Sequence, residues 1–138
     1  MHRIDLKAVV LAFAAEFALD MLVVRILVMI FGSGLFVPGM SEEEVQKVIE
    51  TIAANGNYQL TTFACGMATT VLGGYLAARL AKGFPYYNGL AIGVVAVVFV
   101  LIFGSGGPLW MLIIGVLLTI PASIYGAHIA SKRTPTAE

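Results

Sequence analysis

Charge is scarce in this sequence. Eight lysines and arginines and eight aspartates and glutamates make up 12% of the 138 residues, and the net charge is zero. A soluble globular domain carries roughly 25% charged residues, so this balance belongs to an integral membrane protein and gives nucleic acid no basic surface to bind. Cysteine is nearly absent as well. The lone Cys65 leaves no intrachain disulfide and no cysteine-based metal site. Histidine stops at two, His2 and His128. His2 lies ahead of the first apolar run, so the facing pair that would hold a haem inside a membrane is missing. No CxxC, HExxH, Walker loop or GxSxG elbow occurs, nor a nucleophile–base set in their place. An enzyme is therefore not expected, and neither a metal nor a cofactor is implied.

What fills the chain instead is apolar: 59% of residues are hydrophobic, with a mean hydropathy of +0.94. The apolar runs cover 8–31, 58–81, 86–103 and 108–130, each near the ~20 residues needed to cross the hydrocarbon core as a helix. The expectation is an all-α, polytopic, four-transmembrane-helix bundle forming a single integral membrane domain over 1–138. The basic start "MHRIDLK" followed by an apolar run has the order of a signal peptide. The run is too long, carries charges and is followed by no A-x-A site, so it is expected to stay as an uncleaved first span.

Arg3 and Lys7 precede span 1, Arg79 and Lys82 separate spans 2 and 3, and Lys132 and Arg133 follow span 4. On the other side only Lys47 stands, among Glu42, Glu43, Glu44 and Glu50. The positive-inside rule then places both termini in the cytoplasm. Tyr86, Tyr87 and Tyr125 on the inner side, with Tyr58 and Trp110 on the outer, suit the two interfaces.

The longest loop, "MSEEEVQKVIETIAANGN", reads as a short outer-surface amphipathic helix over 42–54 that caps the bundle. Ser41 and Glu44 have capping-box spacing, and three glutamates in the first turn complement the helix dipole. Val45, Val48, Ile49 and Ile52 form an apolar stripe, and Asn55-Gly56 is expected to stop the helix. Spans 1 and 3 end in "MIFGSG" and "LIFGSG", while spans 2 and 4 end in "GGYLAARLAK" and "SIYGAHIASK". These pairs suggest a tandem hairpin repeat with both hairpins in the same topology.

Small residues recur along the spans: Gly66, Thr70 and Gly74 on span 2, Gly89 and Gly93 on span 3, Gly115, Thr119 and Ser123 on span 4. Such spacing lets helix backbones approach closely, which drives association in lipid. Pro121 removes a backbone donor inside span 4, and a kink is expected there.

Span 1 departs from this pattern with Glu16, Asp20 and Arg25. Each such charge at a bilayer centre costs about 2.5–3.5 kcal/mol on insertion scales. Ala8, Ala12, Glu16 and Asp20 lie four apart, so the acids continue a small-residue stripe that should face protein, about 6 Å apart along the axis. Arg25 sits about 140° around the helix from Asp20 and about 180° from Glu16, a position from which it can snorkel to the outer headgroups or reach a partner. Two carboxylates this close in a low dielectric cannot both ionise easily, and one is expected to hold a proton. Thr62, Thr69, Thr70 and Ser123 are the candidate polar neighbours. The acids can serve as a proton or cation site, fix helix register, or meet a partner subunit's basic residue.

The segment "GGYLAARLAKGFPYYNGLAIGVV", with its small-residue helix ending in basic residues and its glycine-containing third span, resembles small four-span bacterial inner-membrane proteins of unknown function. The resemblance covers spans 2 to 4 and implies a bacterial inner (plasma) membrane location, with no activity to carry over. Glu16 in the first span is also similar to the acidic residue of the small multidrug-resistance transporters, which are of similar size. The cationic bias here favours one fixed topology, and the large outer loop has no counterpart in that family. Two functions remain in view. The first is a non-enzymatic membrane protein acting by helix association, as a homo-oligomer or an accessory subunit of a larger complex. The alternative is a small proton-coupled transporter or channel using Glu16 and Asp20.

Overall fold

The computed structural model describes residues 3–104 and 107–133. They form five helices: α1 (Leu6–Phe31), α2 (Glu42–Ala53), α3 (Gly56–Leu80), α4 (Pro85–Phe103) and α5 (Leu109–Arg133), with no strand among the described residues. Three of them, α3, α4 and α5, are long and apolar enough to cross a membrane, and the chain is on this ground a multi-pass membrane protein. α1 is 26 residues long, about 39 Å at 1.5 Å per residue. Length is not what sets it apart from the other three. Lys7, Glu16, Asp20 and Arg25 are spread along it, so no 18-residue stretch is free of at least three charges.

The helix ends follow from local chemistry. Asp5 caps α1, its side chain accepting the Ala8 N–H at 3.2 Å. Ser41 and Glu44 form the expected capping box at α2: the Ser41 N–H donates to Glu44 Oε2 at 2.8 Å, and the Glu44 N–H donates to Ser41 Oγ at 3.3 Å. Asn55 behaves differently from expectation. Ala54 closes α2, and Asn55 opens α3 by accepting the N–H groups of Asn57 and Tyr58. An asparagine carbonyl satisfies the orphan donors of a following helix better than it ends a preceding one, so α3 starts two residues earlier than the apolar pattern indicates. Pro121 lies inside α5 without ending it. The two "IFG" termini also differ: Gly32 closes α1 at φ −91°, whereas Gly104 closes α4 at φ 81°.

α3 is the central helix, packed against α1, α4, α5 and α2, while α1 and α5 make no close backbone approach. The start of α1, the start of α4 and the end of α5 meet at one end. There Asn88, fully buried, accepts the Asp5 N–H at 2.8 Å and donates to the Gly83 and Phe84 carbonyls at 3.1 and 3.0 Å. Tyr86 Oη meets His128 Nδ1 at 2.8 Å, and Arg3 donates to Tyr87 Oη at 3.0 Å. Phe31 with Tyr58, and Phe63 with Trp110, make aromatic contacts toward the opposite end.

The half of the bundle nearest the termini is closed by small residues. A Cβ on Gly74 would strike the Ser123 carbonyl, one on Gly89 the Ala127 side chain, and one on Gly93 the Ser123 hydroxyl. Gly126 is seated in the same way against the Val71 carbonyl. Val9, Ala12, Ala77 and Ile92 form the apolar core beside them. On α2, Ile52 is buried and Val45 and Val48 are half-buried, whereas Ile49 of the expected stripe is exposed.

Candidate functional site

The other half of the bundle is not closed. A cavity of about 300 Å³ runs from the level of Gly104 and Met111 to that of Glu16 and Thr119, with walls from α1, α3, α4 and α5. Its composition follows from where large residues replace small ones. Phe13, Phe17 and Phe99 pack edge-on between α1 and α4, with ring centroids 5.6 and 5.5 Å apart across the two helices. Met21, Met67 and Met111 add flexible thioether surface from three helices. Into this apolar wall are set five polar side chains: Glu16, Asp20, Thr62, Thr70 and Thr119.

Glu16 is, with Thr70, the most deeply held of them, 6% exposed. Its carboxyl fits because α3 has glycine at position 73, where a Cβ would collide with Glu16 Oε2. Thr70, also buried, stands beside it. Glu16 Oε2 nonetheless has no hydrogen-bond partner among the described residues, and Thr62 Oγ1 shares that condition. A buried polar oxygen without a partner loses the full free energy of its hydration, about 1–3 kcal/mol and more for a charged group. Both oxygens belong to residues that line the cavity. Asp20, one turn further along α1 and half-buried, meets the Thr69 hydroxyl across the α1–α3 contact. Thr69 also donates to the Gly66 carbonyl at 2.8 Å.

The small residues expected to pack helices divide into two groups. Gly74, Gly89, Gly93 and Ser123 lie at close helix contacts in the closed half. Gly66, Thr70, Gly115 and Thr119 line the cavity. Nothing approaches a Cβ placed on Gly66, and only the edge of Phe63 lies near one on Gly115, at 3.9 Å. Ser123 is accordingly no neighbour of the acids; its hydroxyl donates to Ile120 O at 2.9 Å. Arg25 is exposed on the far part of α1 and pairs with neither carboxyl. Among the described residues the one ion pair is Lys47 with Glu43, at 3.0 Å on the surface of α2. No group of three or more His, Cys, Asp and Glu that could hold a metal ion occurs among the described residues.

Two residues that matter here escape sequence reasoning. Gly73 seats Glu16, and its only trace in the sequence is the doublet in "VLGGYLA", where Gly74 alone falls on the every-fourth stripe. Asn88 ties the segment before α1 to the turn that opens α4, yet reads as one polar residue in an interfacial turn. Comparison with known protein families, curated proteins and solved structures finds no match for this chain.

Proposed function

We propose that this chain is a small four-span protein of the bacterial inner membrane that exchanges protons, or a cation coupled to them, through the acidic cavity. It acts as a transporter or channel without enzymatic chemistry. One observation carries the reading: Glu16 is buried on the wall of an apolar cavity, one carboxylate oxygen has no partner, and glycine at position 73 is shaped to it. A carboxylate so placed must take up a proton or a positive charge to be stable, and intramembrane acids mark ion or proton pathways.

α1 is the fourth span in this account. Its charges are accommodated because Glu16 and Asp20 face α3 while Arg25 lies on the outer third. The ends of the helices support an orientation with both termini cytoplasmic, since Arg3, Lys7, Arg79, Lys82, Lys132 and Arg133 gather where α1 and α4 begin and α3 and α5 end. The hairpins α1–α3 and α4–α5 then run in the same sense, as a tandem repeat requires. The cavity faces the opposite, α2-bearing side.

The test is proton flux into liposomes containing the purified protein, driven by a pH gradient. Wild type should exceed empty liposomes, and Glu16→Gln should lose at least tenfold of that excess while melting normally. Equal flux for both proteins would overturn the reading.

Association with another chain, as a homo-oligomer or an accessory subunit, has its own supporting observation: α1 and α5 make no close backbone approach across the seam between them. The small-residue contacts that suggested it are, however, largely used within the chain, at Gly74, Gly89, Gly93 and Gly126. Native mass spectrometry from the membrane tests it directly, a reproducible added polypeptide mass being the supporting outcome.

A further inference from the structure

The segment between α1 and α2 combines two properties that rarely meet in a connecting loop: it is apolar, and it is held in shape. No charged residue stands between Arg25 and Glu42. Leu35, Phe36 and Val37 are consecutive and all exposed, Val37 at 59%. A contiguous apolar patch left open in this way marks an interaction surface.

Two turns give the segment its shape. The Leu35 N–H donates to the Gly32 carbonyl at 2.9 Å, and the Met40 N–H donates to the Val37 carbonyl at 3.3 Å. The Val37 N–H meets Met40 Sδ at 3.2 Å, and Pro38 has no N–H to leave unpaired. The Phe36 ring and the Ile52 side chain of α2 both close on Gly32, where a Cβ would strike them. Phe36 thereby joins the loop to the end of α1 and to α2. Leu35 and Val37, on either side of it, are held facing outward.

The surroundings of the patch say what covers it. The last turns of α1 present Met29 and Ile30, and α3, long and apolar enough to cross a membrane, presents Leu60 at the same end of the bundle. The lipid-facing surface therefore continues into the loop without a charged break. Irregular backbone is not tolerated in the hydrocarbon core, because its amides and carbonyls need water. The depth that meets both demands is the headgroup region and the first acyl carbons, into which an apolar face sinks about 5–10 Å. Glu42, Glu43 and Glu44 follow directly and are exposed, so anionic lipid is repelled.

We propose that the 32–40 loop is a membrane anchor, with Leu35 and Val37 inserted among zwitterionic lipid headgroups beside the start of α3, so that α2 is seated at the bilayer surface. The anchor is independent of the proton-exchange reading, and neither depends on the other for its test.

The experiment is electron paramagnetic resonance of the full chain in phosphatidylcholine vesicles, with Cys65 replaced by Ser and one nitroxide on an introduced cysteine. Collision with oxygen, which concentrates among acyl chains, is compared with collision with a water-soluble nickel chelate. A label on Val37→Cys should meet oxygen at least threefold more often than the chelate. A label on Gln46→Cys, on the exposed polar face of α2, should show the reverse order. Leu35→Cys supplies a second position, which should agree with Val37→Cys and decides the matter if that variant fails to fold. Labels at 35 and 37 that meet the chelate as often as the one at 46 place the loop in water and overturn the proposal. Labels at 35 and 37 screened from both reagents overturn it as well, because the patch is then covered by protein, as a second copy of this chain would cover it.

Discussion

At the scale of single residues, the site depends on one side chain and the gap made for it. A glutamate carboxyl buried in an apolar wall is costly, and it is kept here by the absence of a Cβ at Gly73. Gly73→Ala puts a methyl group where Oε2 lies, so either the carboxyl swings out or α1 moves off α3. The expected cost is about 1–3 kcal/mol, the range for overpacking a close contact. Its origin can be checked by a double-mutant cycle on thermal stability in detergent. In a Glu16→Ala background the same glycine substitution should cost clearly less, because the colliding atoms are gone. Equal costs in both backgrounds would mean that Gly73 serves helix packing in general and not the carboxyl. Glu16 itself is legible in the sequence, because a charge in an apolar run of spanning length demands a reason. Gly73 is not, since a glycine doublet does not say which member faces which neighbour.

At the scale of elements, α2 is the part most readily derived from sequence and also the part most open to solvent. Its capping box, its acidic first turn and its i, i+4 pair of Glu43 and Lys47 all follow from spacing. Hydrogen bonds from the Ser41 backbone N–H and hydroxyl hold the Glu44 carboxyl below its ordinary value of 4.5. A carboxyl whose folded value is depressed stabilises the helix above its unfolded value, and that contribution fades as pH falls through the folded one. Amide protection factors in α2 should therefore decline as pH drops below about 4.5, and Glu44→Gln should flatten that decline. A wild-type profile no steeper than that of the variant would contradict the capping role. The same loop shows why helix boundaries are harder to read than helices. Asn55 fits a stop signal and a start signal equally well by composition. Only the geometry, with its carbonyl accepting from Asn57 and Tyr58, assigns it to α3.

At the scale of the whole molecule, periodicity and composition are enough for an all-α membrane protein with long apolar helices. They do not reveal that its two halves are built differently. Gly66, Gly74, Gly115 and Ser123 look alike as small residues at helical spacing, yet Gly74 and Ser123 close the bundle while Gly66 and Gly115 border a cavity. What distinguishes them is the size of the residues opposite, and a single chain of letters does not show which helices face each other. The cavity lies where α1 and α5, both packed on α3, make no close backbone approach to each other. The central claim is that this opening lies within the membrane, reached by water from the α2 side and sealed toward the termini. The most direct measurement is side-specific labelling of single cysteines with a membrane-impermeant maleimide in sealed vesicles, with Cys65 replaced by Ser. Gly115→Cys, on the cavity wall, should react from the α2 side only, and Ser123→Cys, in the packed half, should react from neither. Labelling of Ser123→Cys as fast as Gly115→Cys, or of Gly115→Cys from the terminal side alone, would contradict the account.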